Sequence, residues 1–350
     1  MKFKGFFANS FLIFFSLILV LFFLEIICRI LIDFDSGYYS SSKINKNKSF
    51  ITHPYGKIPI NEYGFFDEKF NFDKNKEVIA YFGDSVTYGV GAGYPYRFTE
   101  YLDNINSKFE HINLSGGIGT SLNQWNFENE KFLLKNNIKR IVYVMNLNDI
   151  APLSQQIVRN DKNLKNLKDI SFIKNLIRPL DNIFRGKSEL YTFVRFVVKK
   201  QIVKAGYEAS GYESIELFSK KNSKHIVNAS KKIDEWLETT KKKGFNSCVV
   251  ILPYEMQISK NAENYYRSIN IKFEKSFVNF STQNLIRISL RNHRKLFIID
   301  DNAFEEKKIG HYYVFDKGDK IDFNHPNREG HLVIAKEINK KKCLSKLKFS

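Results

Sequence analysis

Residues 77–93 read Glu77-Val78-Ile79-Ala80-Tyr81-Phe82-Gly83-Asp84-Ser85-Val86-Thr87-Tyr88-Gly89-Val90-Gly91-Ala92-Gly93. The run from Val78 to Phe82 is short, apolar and rich in β-branched and aromatic side chains, so it reads as a buried strand. The Gly-Asp-Ser turn behind it puts a serine at the carboxyl end of that strand, the edge where open α/β sheets meet their ligands. A serine there can serve as a nucleophile; equally, Asp84 or Ser85 can cap the next helix. A phosphate-binding loop fits poorly, because no Gly-Lys-Ser/Thr follows the glycine-dense stretch 89–93.

Four more apolar runs of strand length recur, His111 to Leu114, Ile138 to Met145, Ser247 to Leu252 and Leu296 to Ile299. Helical patterns lie between and after them, at Tyr96–Ile105, Leu122–Leu134, Ser223–Lys243, Ala262–Arg287 and Arg328–Asn339. Strands alternating with helices predict an α/β fold with a mostly parallel five-stranded sheet covered on both faces. The stretch Ala151–Gly211 reads as an insertion. Its basic-amphipathic segment Leu190 to Val203 fits either a core-facing helix or a lid or membrane-surface helix.

Ahead of the sheet, Gly5 to Leu24 contains no charge, and the apolar pattern continues to Ile32 with Glu25 and Arg29 four residues apart. That length suits a bilayer-crossing helix. Lys2 and Lys4 precede it and Asp33 and Asp35 follow it. This asymmetry predicts a cytoplasmic N-terminus and an extracytoplasmic catalytic domain, periplasmic or on the cell surface. A cleaved signal peptide is the competing reading, disfavoured by the lack of an A-x-A-like site after Leu24. The division expected is an anchor at 1–35 with its span at about 5–32, a tether and irregular lead-in at 36–76, and a domain at 77–346 interrupted at 151–211.

The 350 residues are 43% hydrophobic, which excludes a solvated, disordered chain. A net charge of +18 invites a polyanion partner, yet the lysines are scattered among Asn, Ile and Phe, and no nucleic acid is expected. Three cysteines, Cys28, Cys248 and Cys343, are too few for a zinc site, and their spacing predicts no structural disulfide.

Near the C-terminus stands Asp322-Phe323-Asn324-His325-Pro326-Asn327-Arg328-Glu329-Gly330-His331. A carboxylate three residues before a histidine can accept one ring N–H and leave the other nitrogen as a base. Pro326 stops a helix from running through His325. His331 is expected to support the helix rather than to act on substrate. Two segments at predicted strand ends complete the set, Asn113-Leu114-Ser115-Gly116-Gly117-Ile118-Gly119-Thr120 and Met145-Asn146-Leu147-Asn148-Asp149. Glycine N–H groups and an asparagine amide are neutral donors suited to a tetrahedral oxyanion.

In order, these four segments resemble the sequence blocks of the SGNH (GDSL-type) hydrolase superfamily, over about residues 79–338. The resemblance implies a flavodoxin-like three-layer α/β/α fold, with Ser85 as nucleophile and Asp322 and His325 completing the triad. The oxyanion would be held by the Ser85 N–H, the Gly117 N–H and the Asn148 amide, with Gly119 as the alternative to Gly117. The third block departs from the family's Gly-x-Asn-Asp by carrying Asn146, and the second is one residue short. The implied activity is hydrolysis of an ester through an acyl-enzyme, with no cofactor and no metal. Its substrate would be an acylated carbohydrate, a lipid or a small ester. Transfer of an acyl group to an envelope polysaccharide, fed by a separate acyl-donor protein, is the rival, and a non-catalytic glycan-binding module the third reading.

Overall fold

The computed structural model describes residues 2–31, 50–53, 56–72, 75–115, 122, 127–150, 178–180, 183–184, 188–205, 219–268, 272–305, 312–313 and 325–341. Two compact units emerge. One comprises residues 1–44, 52–54 and 165–207, the other 45–51, 55–164 and 208–350.

In the first unit, α1 (Lys2–Leu31) packs against α4 (Glu189–Lys204). The stretch Ser10–Ile30 of α1 has a mean hydropathy of 3.0, so this helix is long and apolar enough to cross a membrane.

Two short strands, β1 (Phe50–His53) and β2 (Gly56–Pro59), precede the central sheet. That sheet has five strands: β3 (Glu77–Gly83), β4 (Phe109–Asn113), β5 (Arg140–Met145), β6 (Asn246–Ile251) and β7 (Leu296–Ile298). Their order is β4-β3-β5-β6-β7 and every pairing is parallel. This is the order of flavodoxin-like sheets, with its reversal of direction at β3 and β5.

Alternation along each strand explains the layers, because successive side chains point to opposite faces. Ala80, Phe82, Ile141, Tyr143, Val249 and Ile251 join one buried cluster with Leu133 of α3 (Phe127–Lys135), Ile233 of α5 (Ser223–Lys242) and Ile286 of α7 (Thr282–Ser289). Ile79, Tyr81, Val142, Val144, Cys248 and Val250 join the other with Leu102 of α2 (Phe98–Ile105) and Ile334 of α8 (Arg328–Lys341). Both faces of each central strand are therefore dry, which is why the sequence shows unbroken apolar runs.

Two expectations are corrected. The helix expected over Ala262–Arg287 is two helices, α6 (Lys260–Ser268) and α7, and between them Asn279 and Phe280 leave helical backbone, Phe280 at φ 62°. Ala262, Tyr266 and Ile286 nevertheless all serve the same core cluster. In addition, Cys248, buried in β6, is disulfide-bonded, whereas Cys28 is free. Sequence spacing carries no information about sulfurs that the fold brings together.

The chain from Ile58, in β2, to Phe70 is part of the second unit's interior. Ile58, Phe65, Phe66 and Phe70 are buried, and Phe65 meets Phe132 of α3 edge to face at 5.1 Å.

Candidate active site

The serine turn starts where β3 ends, and local chemistry explains its shape. Gly83 is required there because a Cβ would overlap Thr87 Oγ1 and press on the Val144 carbonyl of the neighbouring strand. Asp84 Oδ1 accepts the Val86 N–H at 2.9 Å. The Asp84 and Ser85 carbonyls accept from Thr87, Tyr88, Gly89 and Val90. The N–H groups of 86 to 90 are thus all used within the turn, and the Ser85 N–H stands outside this set. Gly89 closes it at φ +83°, a left-handed conformation that costs glycine nothing.

His325 arrives from the other end of the chain, 240 residues away. Its Nε2 lies 2.7 Å from Ser85 Oγ, and the ring is buried. Pro326 forms an antiparallel bridge with Tyr313. Asn327 then caps α8, its Oδ1 accepting the Gly330 N–H at 3.1 Å while its own N–H donates to the Tyr312 carbonyl at 2.9 Å. The Tyr313 hydroxyl donates to the Pro253 carbonyl at 2.6 Å, tying this strap to the end of β6. The capping role of Asn327 and the approach of His325 to Ser85 therefore coexist.

Asn148 sits in the single turn Leu147–Asp149 that follows β5. Its Nδ2 donates to Asp84 Oδ2 at 3.1 Å, so one of its two amide hydrogens is held by the residue next to the serine. Its Oδ1 is buried with no partner among the described residues. Asn146 occupies the position where the SGNH pattern has glycine, at φ −95° and ψ 156°, extended backbone that needs no glycine. The asparagine contributes a reciprocal cap: its Oδ1 accepts the Leu147 N–H at 2.7 Å, and Asp149 Oδ2 accepts the Asn146 N–H at 3.3 Å.

Electrostatics behind the serine are dominated by burial. Burial pushes the Asp84 carboxyl up, against the lowering effect of the Val86 N–H, the Asn148 amide and the His325 charge. Asp149 is held well above the carboxylate range by burial and by Asp84, although the Tyr143 hydroxyl donates to it at 2.8 Å. His331 is fully buried and pushed down to about 3 by burial, a neutral ring whose Nδ1 accepts the Phe98 N–H at 3.2 Å. Its place is structural, in the packing of α8 on α2.

A buried polar chain that sequence reading did not single out braces the turn. Arg97, fully buried, donates to Asp67 at 2.7 Å, to Glu100 and to the Phe66 carbonyl. Asp67 Oδ2 accepts the Asn113 N–H at 2.7 Å, and Asn113 Nδ2 donates to the Thr87 carbonyl at 2.7 Å. Asn113 was legible as a strand-end residue; Asp67 and Arg97 carry no local signal.

Of the residues singled out from sequence, the structure brings together Ser85, His325 and, through Asp84, Asn148. Asp322, Gly117 and Gly119 lie outside the described residues. Among those described, no cluster of three or more His, Cys, Asp or Glu side chains is placed to hold a metal ion. The molecule thus belongs to the class of doubly wound α/β proteins, with a serine–histidine pair at the carboxyl edge of its sheet.

No family model and no curated protein matches the chain. Among solved structures, protein YXIM from Bacillus subtilis aligns over 78% of this chain and 58% of its own, at 13% identity and a TM-score of 0.35. A likeness at that level says nothing of function.

Proposed function

We propose that the chain is a membrane-anchored serine ester hydrolase of the SGNH type. The observation that carries this reading is the 2.7 Å contact between His325 Nε2 and Ser85 Oγ, formed at the carboxyl ends of parallel strands by segments 240 residues apart. His325 takes the Ser85 proton as Oγ attacks an acyl carbonyl. Charge developing on the carbonyl oxygen is met by the Ser85 N–H and the second amide hydrogen of Asn148. His325 returns its proton to the leaving alcohol, and water activated by the same nitrogen releases the acid. Asp322 is assigned the orienting carboxylate and Gly117 the third oxyanion donor, both from the SGNH pattern.

Asp84 enters as a positioning residue. Holding Asn148 by one amide hydrogen aims the other, and it does so from the position adjacent to the nucleophile. The substrate class is an acylated envelope carbohydrate, a lipid or a small ester.

An extracytoplasmic catalytic domain is supported by two features. Lys2 and Lys4 lie on the short side of α1. The disulfide at Cys248 suits an oxidising compartment.

The test is hydrolysis of p-nitrophenyl acetate and longer-chain esters by the full chain in detergent, beside Ser85→Ala and His325→Ala. Turnover lost in both variants, with an acyl adduct on Ser85 in the wild type, is the expected result. An acyl-enzyme that forms but passes its acyl group to an added glycan faster than to water would establish acyl transfer instead. A folded chain with neither turnover nor adduct would leave a binding module.

A further inference from the structure

Glu25 is the one carboxylate inside the apolar stretch of α1, and its surroundings are built. Its Oε2 accepts the Ser188 hydroxyl at 2.7 Å and the Leu190 N–H at 3.0 Å, and its Oε1 accepts the Glu189 N–H at 3.0 Å. Arg29, one turn further along α1, pairs with it at 2.8 Å. A carboxylate at hydrocarbon depth is costly unless it is paired and hydrogen-bonded. Here the first N–H groups of α4, at Glu189 and Leu190, supply the bonds, and the helix dipole favours the charge.

This cap fixes a level. Glu25 precedes Ile30, the end of the apolar stretch, by five residues, about 7.5 Å along the helix axis. The N-terminus of α4 must therefore sit where α1 leaves the hydrocarbon. With 16 residues α4 spans about 24 Å and carries Arg195, Lys199, Lys200 and Lys204, so it is unsuited to be a second crossing. Nevertheless it exposes Val194, Val197 and Val198, a stripe at helical spacing, and Leu180, Ile183 and Phe184 are exposed just upstream. By spacing along the helix, residues 195 and 199 flank the stripe on one side and 200 and 204 on the other.

We propose that α4 is an interfacial helix, latched to the anchor through Glu25, that lays its valine stripe into the acyl boundary of an anionic bilayer and sets its basic flanks against the headgroups. The occupant of the stripe is lipid because α4 starts at the depth where α1 presents its own uncovered apolar surface, and the flanking charges complement anionic headgroups. The inference rests on α1 crossing the bilayer and is independent of the chemistry at Ser85.

The test is spin labelling of the full chain in phosphatidylcholine/phosphatidylglycerol nanodiscs, on a Cys28→Ser background. Val197→Cys reports α4, Ile18→Cys reports α1 and exposed Lys57→Cys reports water. The expected result is that labels at 197 and 18 collide with oxygen in preference to a nickel chelate, whereas 57 shows the reverse. A label at 197 that favours nickel while 18 favours oxygen would overturn the proposal and leave the anchor standing. One shielded from both reagents would overturn it in favour of a protein contact. A label at 18 that favours nickel would remove the crossing helix and the proposal with it. Glu25→Leu makes α1 more apolar and so leaves insertion intact; the 197 label is then expected to lose its preference for oxygen, and an unchanged preference would refute the latch.

Discussion

The two halves of the serine–histidine pair are held in different ways. Ser85 rides on a turn whose N–H groups from 86 to 90 are all bonded inside the turn, and which is braced from outside by Asn113, Asp67 and Arg97. Among the described residues, the segment carrying His325 is joined to Tyr312 and Tyr313 by a strand bridge at Pro326 and by the Asn327 N–H and amide, and through the Tyr313 hydroxyl to the end of β6. The serine is thus placed by a strand and the turn next to it in sequence, while the described bonds around His325 join segments far apart in the chain. A substitution that forces the backbone of the serine turn should therefore appear as lost stability, and one that shifts the segment after His325 as lost turnover in a chain that still folds.

The largest effect expected is on the pair itself. Ser85→Ala and His325→Ala should each lower ester kcat/KM by about four orders of magnitude or more with unchanged thermal unfolding. A variant that kept a tenth of the activity would break the assignment outright.

Next come the two glycines that abut backbone on either side. Gly83→Ala drives a Cβ into Thr87 and the Val144 carbonyl, and should cost about 2–4 kcal/mol in urea unfolding. Gly330→Ala meets the Tyr312 carbonyl and Pro326. It should shift the strap, lowering kcat more than stability. The reverse ranking would show that the strap, not the turn, is the rigid side.

Asp84→Asn sharpens the comparison at the point where the serine turn reaches Asn148. Losing the charged acceptor loosens the amide, so kcat should fall about tenfold with KM little changed. An equal rise in KM would assign Asp84 to substrate binding instead.

The last effect is a slope rather than a step. His331 titrates at about 3 in the fold against 6.5 unfolded, so below pH 6.5 the unfolded chain binds a proton that the folded one refuses. Stability is lost as pH falls from 6.5 toward 3, at about 1.4 kcal/mol per pH unit for this residue. His111, likewise pushed down to about 3 by burial, adds the same sign. Asp103, raised to about 7 by burial, opposes it by gaining stability as pH falls from 7 toward 3.8. His331→Gln should remove one histidine's share of the slope between pH 6.5 and 5, measured by urea titration. An unchanged slope would mean that the ring is protonated in the fold.

The five strands of the central sheet were legible to within about two residues at each end, because burial on both faces leaves a short continuous apolar run. The departure from helix at Asn279 and Phe280 was not legible, since apolar residues on both sides of it, Tyr266 and Ile286 among them, serve one cluster. Asn146 shows the limit from another side. By sequence it is only a departure from the family's Gly-x-Asn-Asp, whereas in the fold it is half of a reciprocal cap with Asp149.

The sequence by itself determined the alternation of strands and helices, the serine turn at the end of β3, a histidine that cannot lie in a helix, and an apolar segment of membrane-crossing length. All of these are properties of neighbouring residues, governed by periodicity, turn chemistry and the rigidity of proline. Only the tertiary structure decided that Nε2 of His325 reaches Ser85, that Asp67 and Arg97 brace the serine turn, that Cys248 is oxidised, and that Glu25 of α1 caps α4. Those pairings join residues distant in sequence, and the free energy that selects them comes from burying polar groups together with their partners, which leaves no trace in local pattern.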